Sequence, residues 1–227
     1  MMRAAFLLTL ALLPALAHAQ EDSDWIAYRD AYRQMIWFEK YGKPKQFLQN
    51  HFRLRPRDKS VAMEGLRLTL NSKTTQVSLT LDALGRAVLP FSKAAYDDNA
   101  ELVVNRKPGQ FKAGAWVSII TRPDGVYAVA DLRTACDQLL AYLRYGGEAS
   151  GKSCVGVQFS YQKSETVQVQ FHAASGAVIA LTAKDGPAFT GDLIQNFRTF
   201  AYRFASLPEA GQIVTSSTPL AIAALLE

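Results

Sequence analysis

Residues 131–161 read DLRTACDQLLAYLRYGGEASGKSCVGVQFSY, and two hydrophobic periods meet inside them. Leu132, Ala135, Cys136, Leu139, Leu140 and Leu143 recur at steps of three and four, which predicts a helix over 131–145. Gly146-Gly147 stops it. Immediately beyond the loop, Val155, Val157, Phe159 and Tyr161 alternate with small or polar residues, the period of a strand. One helix feeding directly into a strand, with strands following one another on both sides, fits α+β or a β-sandwich better than the β-α alternation of a parallel α/β sheet.

Downstream, further strands are expected at 167–171, 177–182, 199–204 and 212–216, with a last apolar run at 220–226. Upstream, Leu66, Leu68 and Leu70 alternate before Asn71-Ser-Lys73, and Val77, Leu79 and Leu81 alternate after it, the pattern of a hairpin. Strands are also expected at 86–91, 101–105, 116–121 and 126–130, the last entered through the turn Pro123-Asp-Gly125. Only the N-terminus departs from this. Asp22-Ser-Asp24 can cap a helix in which Trp25, Tyr28, Tyr32, Met35 and Ile36 share a face as far as Tyr41, and a short second helix is expected to carry Phe47, Leu48, His51 and Phe52.

The expected fold is therefore mainly β, or α+β. An N-terminal helical segment (20–59) precedes a first antiparallel β unit (60–130), a linking helix and loop (131–153) and a second β unit (154–227). The units are candidates for tandem sandwich-like repeats. Val77, Leu79, Leu81, Val88, Leu89 and Phe91 align without gaps on Val167, Val169, Phe171, Val178, Ile179 and Leu181 at an offset of 90. Alternating strands align cheaply, so a duplication and two strand-rich halves of one sheet system both remain open.

The first 19 residues, MMRAAFLLTLALLPALAHA, combine Arg3, an apolar run and Ala17-His18-Ala19, the features of a cleavable secretory signal peptide. Cleavage leaves 208 of the 227 residues and removes one of the 25 basic residues and none of the 20 acidic ones, so the formal charge becomes 24 − 20 = +4. The expected location is the periplasm, or outside the cell. A mild positive balance fits an anionic envelope partner and falls short of the concentrated basic stripe of a nucleic-acid binder. In an oxidising compartment Cys136 and Cys154 are expected to form one disulfide.

Several motifs point to chemistry that their context denies. Gly146 to Ser153 fits the phosphate-loop pattern G-x-x-x-x-G-K-[ST], but its glycines close a helix and a strand follows, so a phosphate would meet the wrong pole of the helix dipole. No nucleotide is expected. Ser160-Tyr-Gln-Lys163 fits the S-x-x-K pattern of penicillin-interacting enzymes, yet it lies on an expected strand and has no K-T-G or S-D-N partner. Tyr96-Asp-Asp-Asn99 groups oxygen ligands without the spacing of a calcium loop. Outside the leader only His51 and His172 are available for acid–base or metal chemistry. Neither has a partner at zinc spacing, so no cofactor or metal is expected. The surface candidate is Arg53, Arg55, Arg57 and Lys59, which would contact an anionic partner.

The order of features resembles an exported bacterial family catalogued only as a domain of unknown function. The resembling parts are the tyrosine-rich first helix, Val88-Leu-Pro-Phe91 followed by Asp98-Asn-Ala-Glu-Leu102, Ile119-Ile-Thr-Arg122, the helix Leu132–Leu143 and Val155-Gly-Val-Gln-Phe159. The resemblance implies a small exported protein and brings no catalytic residues. The function expected from the residues is a non-enzymatic binding or structural module of the cell envelope, acting on an envelope polymer, an anionic lipid or another envelope protein. The alternatives are a hydrolase of cell-wall or lipid material using His51 or His172, and an assembly chaperone or accessory subunit that uses open strand edges.

Overall fold

A computed structural model describes residues 23–206 and 210–227; the leader expected at 1–19 and the capping Asp22 lie outside these residues. The first half runs β1 (Asp24–Ala27), α1 (Tyr28–Glu39), β2 (Leu48–Pro56), β3 (Leu68–Asn71), β4 (Gln76–Leu79), β5 (Arg86–Ala87), α2 (Lys93–Asp97), β6 (Glu101–Val104) and β7 (Phe111–Ile119). The second runs β8 (Val126–Ala128), α3 (Val129–Tyr145), β9 (Cys154–Gln162), β10 (Val169–Ala173), β11 (Val178–Ala180), β12 (Ala183–Gly186), β13 (Phe197–Arg203), β14 (Gly211–Thr215) and β15 (Ala221–Leu226). The fold is mainly β, and among the described residues every strand pair is antiparallel. Among the described residues no helix is long and apolar enough to cross a membrane.

The halves repeat one another in topology. The first builds a four-stranded sheet in the order β1-β6-β3-β4, and the second builds one in the corresponding order β8-β14-β10-β11. Residue positions correspond as well. Ile26 pairs with Leu102 and Leu70 with Leu102, as Tyr127 pairs with Ile213 and Phe171 with Ile213. The shift is 101 residues from Leu70 to Phe171 and 111 from Leu102 to Ile213, so about ten residues are inserted between these points. The offset of 90 is thus corrected: it laid β4 on β10, one strand out of step, because period-two sequence matches any strand equally well.

The remaining strands form a single seven-stranded sheet, β12-β13-β9-β15-β7-β2-β5, shared by both halves. One face carries the helices and both small sheets. Against β2 and β7, Phe52, Leu54 and Phe111 pack on Tyr28, Ala31 and Met35 of α1 and on Leu68, Leu70 and Leu102 of the first small sheet. In the same way Phe159, Phe200 and Ile222 pack on Leu132, Cys136 and Leu139 of α3 and on Phe171 and Ile213 of the second. Each half is a two-layer sandwich closed by its own helix. On the opposite face of the large sheet a smaller cluster, including Leu84, Phe189, Phe197 and Ala223, lies under the segment 187–197.

Two expectations about the N-terminal segment are corrected. The first helix does not start at Trp25, which pairs with Val103 in β1 and is 61% exposed; β6 takes up the backbone there, and α1 starts only where Tyr28 donates its N–H to the Ala100 carbonyl at 2.9 Å. The second helix does not form. Residues 48–56 are β2, held to β7 through nine register pairs, with Phe52 and Leu54 facing the core and His51, Arg53 and Arg55 on the opposite face. Likewise α3 lies inside the second half and not between the halves: it follows β8 as α1 follows β1. A disulfide joins Cys136 of α3 to Cys154 at the start of β9, with Cα atoms 5.9 Å apart, a separation usual for bridged cysteines.

Candidate functional site

The alternation of β2 places His51, Arg53 and Arg55 on the outer face of the large sheet, beside Trp116 and Lys112 of β7 and Arg86 of β5. The basic run does not form one solvated patch. Arg53 is 5% exposed: its guanidinium meets Asp192 through two hydrogen bonds of 3.1 and 2.6 Å, donates to the Leu84 carbonyl at 3.0 Å, and lies 4.6 Å from the ring centres of both Trp116 and Phe189. Arg53 is therefore a core residue and is not free to meet a partner. Arg55 stacks on the same Trp116 ring at 4.6 Å, and among the described residues it has no ion pair. Arg57 is exposed and donates to the Phe111 carbonyl at 3.1 Å, and Lys59 is exposed beyond the end of β2. Arg53, Arg55, Arg57 and Lys112 line a recess of about 240 Å³ together with Asp192.

His51 lies in the same row, opposite Trp116 in the β2–β7 register. Its Nδ1 is buried without a partner, and burial, reinforced by the nearby Arg86 guanidinium, holds its pKa below the ordinary histidine value. His172 sits on β10 in a different sheet, its Nε2 3.1 Å from Gln170 Oε1. The structure does not bring the two histidines together.

The larger concavity lies at the seam between the halves. β7 and β15 are adjacent but joined by a single pair, Ile119 with Ile222, whereas β15 pairs with β9 at six positions. Continuing the register from that pair would match Val117 with Ala224 and Ala115 with Leu226. Neither pair forms. All four residues instead line a groove of about 780 Å³.

Hydrogen-bond directions show which backbone groups of β7 face the gap. Ile120 donates its N–H to Phe47, and Arg57 donates its N–H to Gln110, each at 2.9 Å. Even-numbered residues of β7 therefore turn toward β2, and the odd-numbered Ala115, Val117 and Ile119 turn toward the seam. Ala115 confirms this, since its N–H is taken by the Gln34 side chain of α1 at 3.4 Å. Gly114 permits that reach, because a Cβ there would lie 2.8 Å from Gln34 Oε1.

The two helices roof the groove where their C-terminal ends meet. Trp37 packs against Tyr145 at 5.2 Å, Phe38 against Tyr142 at 5.5 Å, and Tyr41 against both tyrosines. The inner wall is Trp37, Leu139, Tyr142 and Leu143; the outer wall is Trp116, Phe189 and Arg55, with Glu148 also on the lining. Arg55 borders both this groove and the basic recess.

The other motifs resolve into structure. Ser160 is fully buried and donates to the Ala188 carbonyl at 3.3 Å, while Lys163 pairs with Asp185 at the surface at 2.8 Å. The glycines of the phosphate-loop pattern form the C-terminal cap of α3, where Gly146 and Gly147 donate to Tyr142 and Arg144. In Tyr96–Asn99, Asp97 pairs with Lys93, and among the described residues no group of metal-binding side chains comes together. Sequence reasoning missed the groove residues Gln34, Trp37, Val117 and Ala224 because they carry no motif. A signal was nonetheless present: Trp116 to Ile120 and the final apolar run 220–226 are strand sequences at the ends of the two halves.

Comparison with protein-family models, with curated proteins and with solved structures finds no match.

Proposed function

We propose that this is an exported, non-enzymatic binding module of the cell envelope that takes its ligand in the groove between the two halves. The observation that carries this reading is the seam itself, where two strands of one sheet part after a single pair and leave a concavity of about 780 Å³ lined by aromatic and aliphatic side chains. Export is supported by the leader-like first 19 residues and by the Cys136–Cys154 disulfide, which suits an oxidising compartment such as the periplasm. A binding role is favoured over hydrolysis because the groove lining has one carboxylate, Glu148, and no histidine. The basic side of the groove at Arg55 continues into the recess with Arg57 and Lys112, so an anionic feature on the ligand is accommodated there.

The test is to fill the groove with Ala224→Trp. The purified protein is titrated with phosphatidylglycerol vesicles, soluble cell-wall fragments and synthetic peptides. Binding of at least one of these that is lost in the variant supports the reading; binding that ignores the substitution in every case, or turnover of the cell-wall fragments, contradicts it.

A further inference from the structure

We infer that the occupant of the groove is an extended polypeptide segment that pairs its backbone with the open edges of β7 and β15 and so restores a continuous sheet across the seam. The inference rests on the groove being the binding site and goes beyond it by naming the class of ligand. Ala115 and Val117 on one side, and Ala224 and Leu226 on the other, occupy positions that the register of Ile119 and Ile222 would pair, and they stand apart. Such edges present a row of backbone donors and acceptors, and the chemistry that complements them is another backbone. An acyl chain in the same space would cover these N–H and C=O groups and leave them unpaired, which is unfavourable.

The groove already contains a stand-in. Gln34 places its side-chain amide oxygen where a ligand carbonyl would accept from Ala115, at 3.4 Å, a long bond that a better-placed acceptor replaces. Because β7 and β15 run antiparallel, the inserted segment is parallel to one and antiparallel to the other, an arrangement found in mixed sheets. Its side chains alternate between the two walls. Those turned inward meet Trp37, Leu139 and Tyr142 and are apolar; those turned outward meet Trp116 and Arg55, which favours an aromatic, aliphatic or acidic residue.

Proline at position 117 separates backbone pairing from simple filling of space. The Val117 N–H faces the seam and not β2, so Val117→Pro removes one donor from the open edge and leaves the β2–β7 ladder intact. Val117→Ala trims the side chain and keeps the donor. The probes are synthetic octapeptides that alternate valine with threonine or glutamate, and the same peptides N-methylated at alternate backbone nitrogens, with binding read by tryptophan fluorescence and amide chemical shifts.

The expected result is binding by the unmodified peptides that Val117→Ala weakens by no more than about threefold and Val117→Pro by about tenfold, the scale of one lost hydrogen bond, with none for the N-methylated peptides. Equal effects of the two substitutions, or equal binding of the N-methylated peptides, overturns the inference. If only phosphatidylglycerol vesicles bind, and Ala224→Trp abolishes that, the polypeptide inference fails while the groove stands as a binding site. If Ala224→Trp changes no binding at all, both fail.

Discussion

Arg53 sits where a charged side chain is costly unless it is fully partnered, and its partners are Asp192 and the rings of Trp116 and Phe189. Nothing in the local sequence distinguishes Arg53 from Arg55 or Arg57, because Asp192 is 139 residues away. The charge run was legible; the one member of it that is buried was not. Removing one partner leaves the other charge buried, so Asp192→Ala is expected to lower stability by about 3–5 kcal/mol, and Arg53→Met combined with Asp192→Leu to recover most of that loss, as read by denaturant unfolding of the single and double variants. At His51 the sign follows from its depressed folded-state pKa. The unfolded chain takes up a proton near pH 6.5 and the folded chain only at lower pH, so the unfolded state binds more protons in between. Stability therefore declines as pH falls from about 7 to the depressed value and is unaffected by this group below it. His51→Gln is expected to flatten that decline between pH 7.5 and 5; an unchanged slope would remove His51 as its cause. The lowered pKa values of Asp58, Asp124 and Asp185 act in a separate window, below about pH 4.

At the scale of elements, α3 and its following strand were readable because local period and packing agree: 131–145 falls within Val129–Tyr145, and 155–161 within Cys154–Gln162. β2 was not, for a physical reason. Its outward face is polar and half-buried, with Arg53 alone fully buried, so its sequence, HFRLR, looks like the end of an amphipathic helix followed by a charged linker, although Phe52 and Leu54 alternate correctly with His51, Arg53 and Arg55. The disulfide ties α3 to β9 within the second half alone, closing 18 residues. Replacing both cysteines by alanine is expected to cost about 3 kcal/mol and to leave the fold intact, because Cys136 is surrounded by the apolar core of that half. Equal thermal and denaturant midpoints for the two proteins would show that the crosslink contributes nothing.

At the scale of the molecule, two copies of one topology share a single sheet, and the shared sheet is incomplete where they meet. The sequence shows two strand-rich halves, but not their true correspondence, since the repeated unit begins at the short strand before each helix and contains an insertion of about ten residues. Nor does it show the groove, which exists only because β7 and β15 part after Ile119 and Ile222. The first half contributes Trp37 and Trp116, the second Tyr142 and Phe189. The binding reading depends on both halves being present in one chain.

That open seam is tested most directly by residue-resolved amide hydrogen exchange of the free protein across β7. Exchange is expected to alternate: slow at Trp116 and Ser118, whose N–H groups turn toward β2, and fast at Val117, which faces the groove. Addition of an octapeptide that binds is expected to slow Val117 and Ala224 selectively. Uniformly slow exchange from Ala115 to Ile119 in the free protein would mean that β7 and β15 are already paired, and would contradict the account.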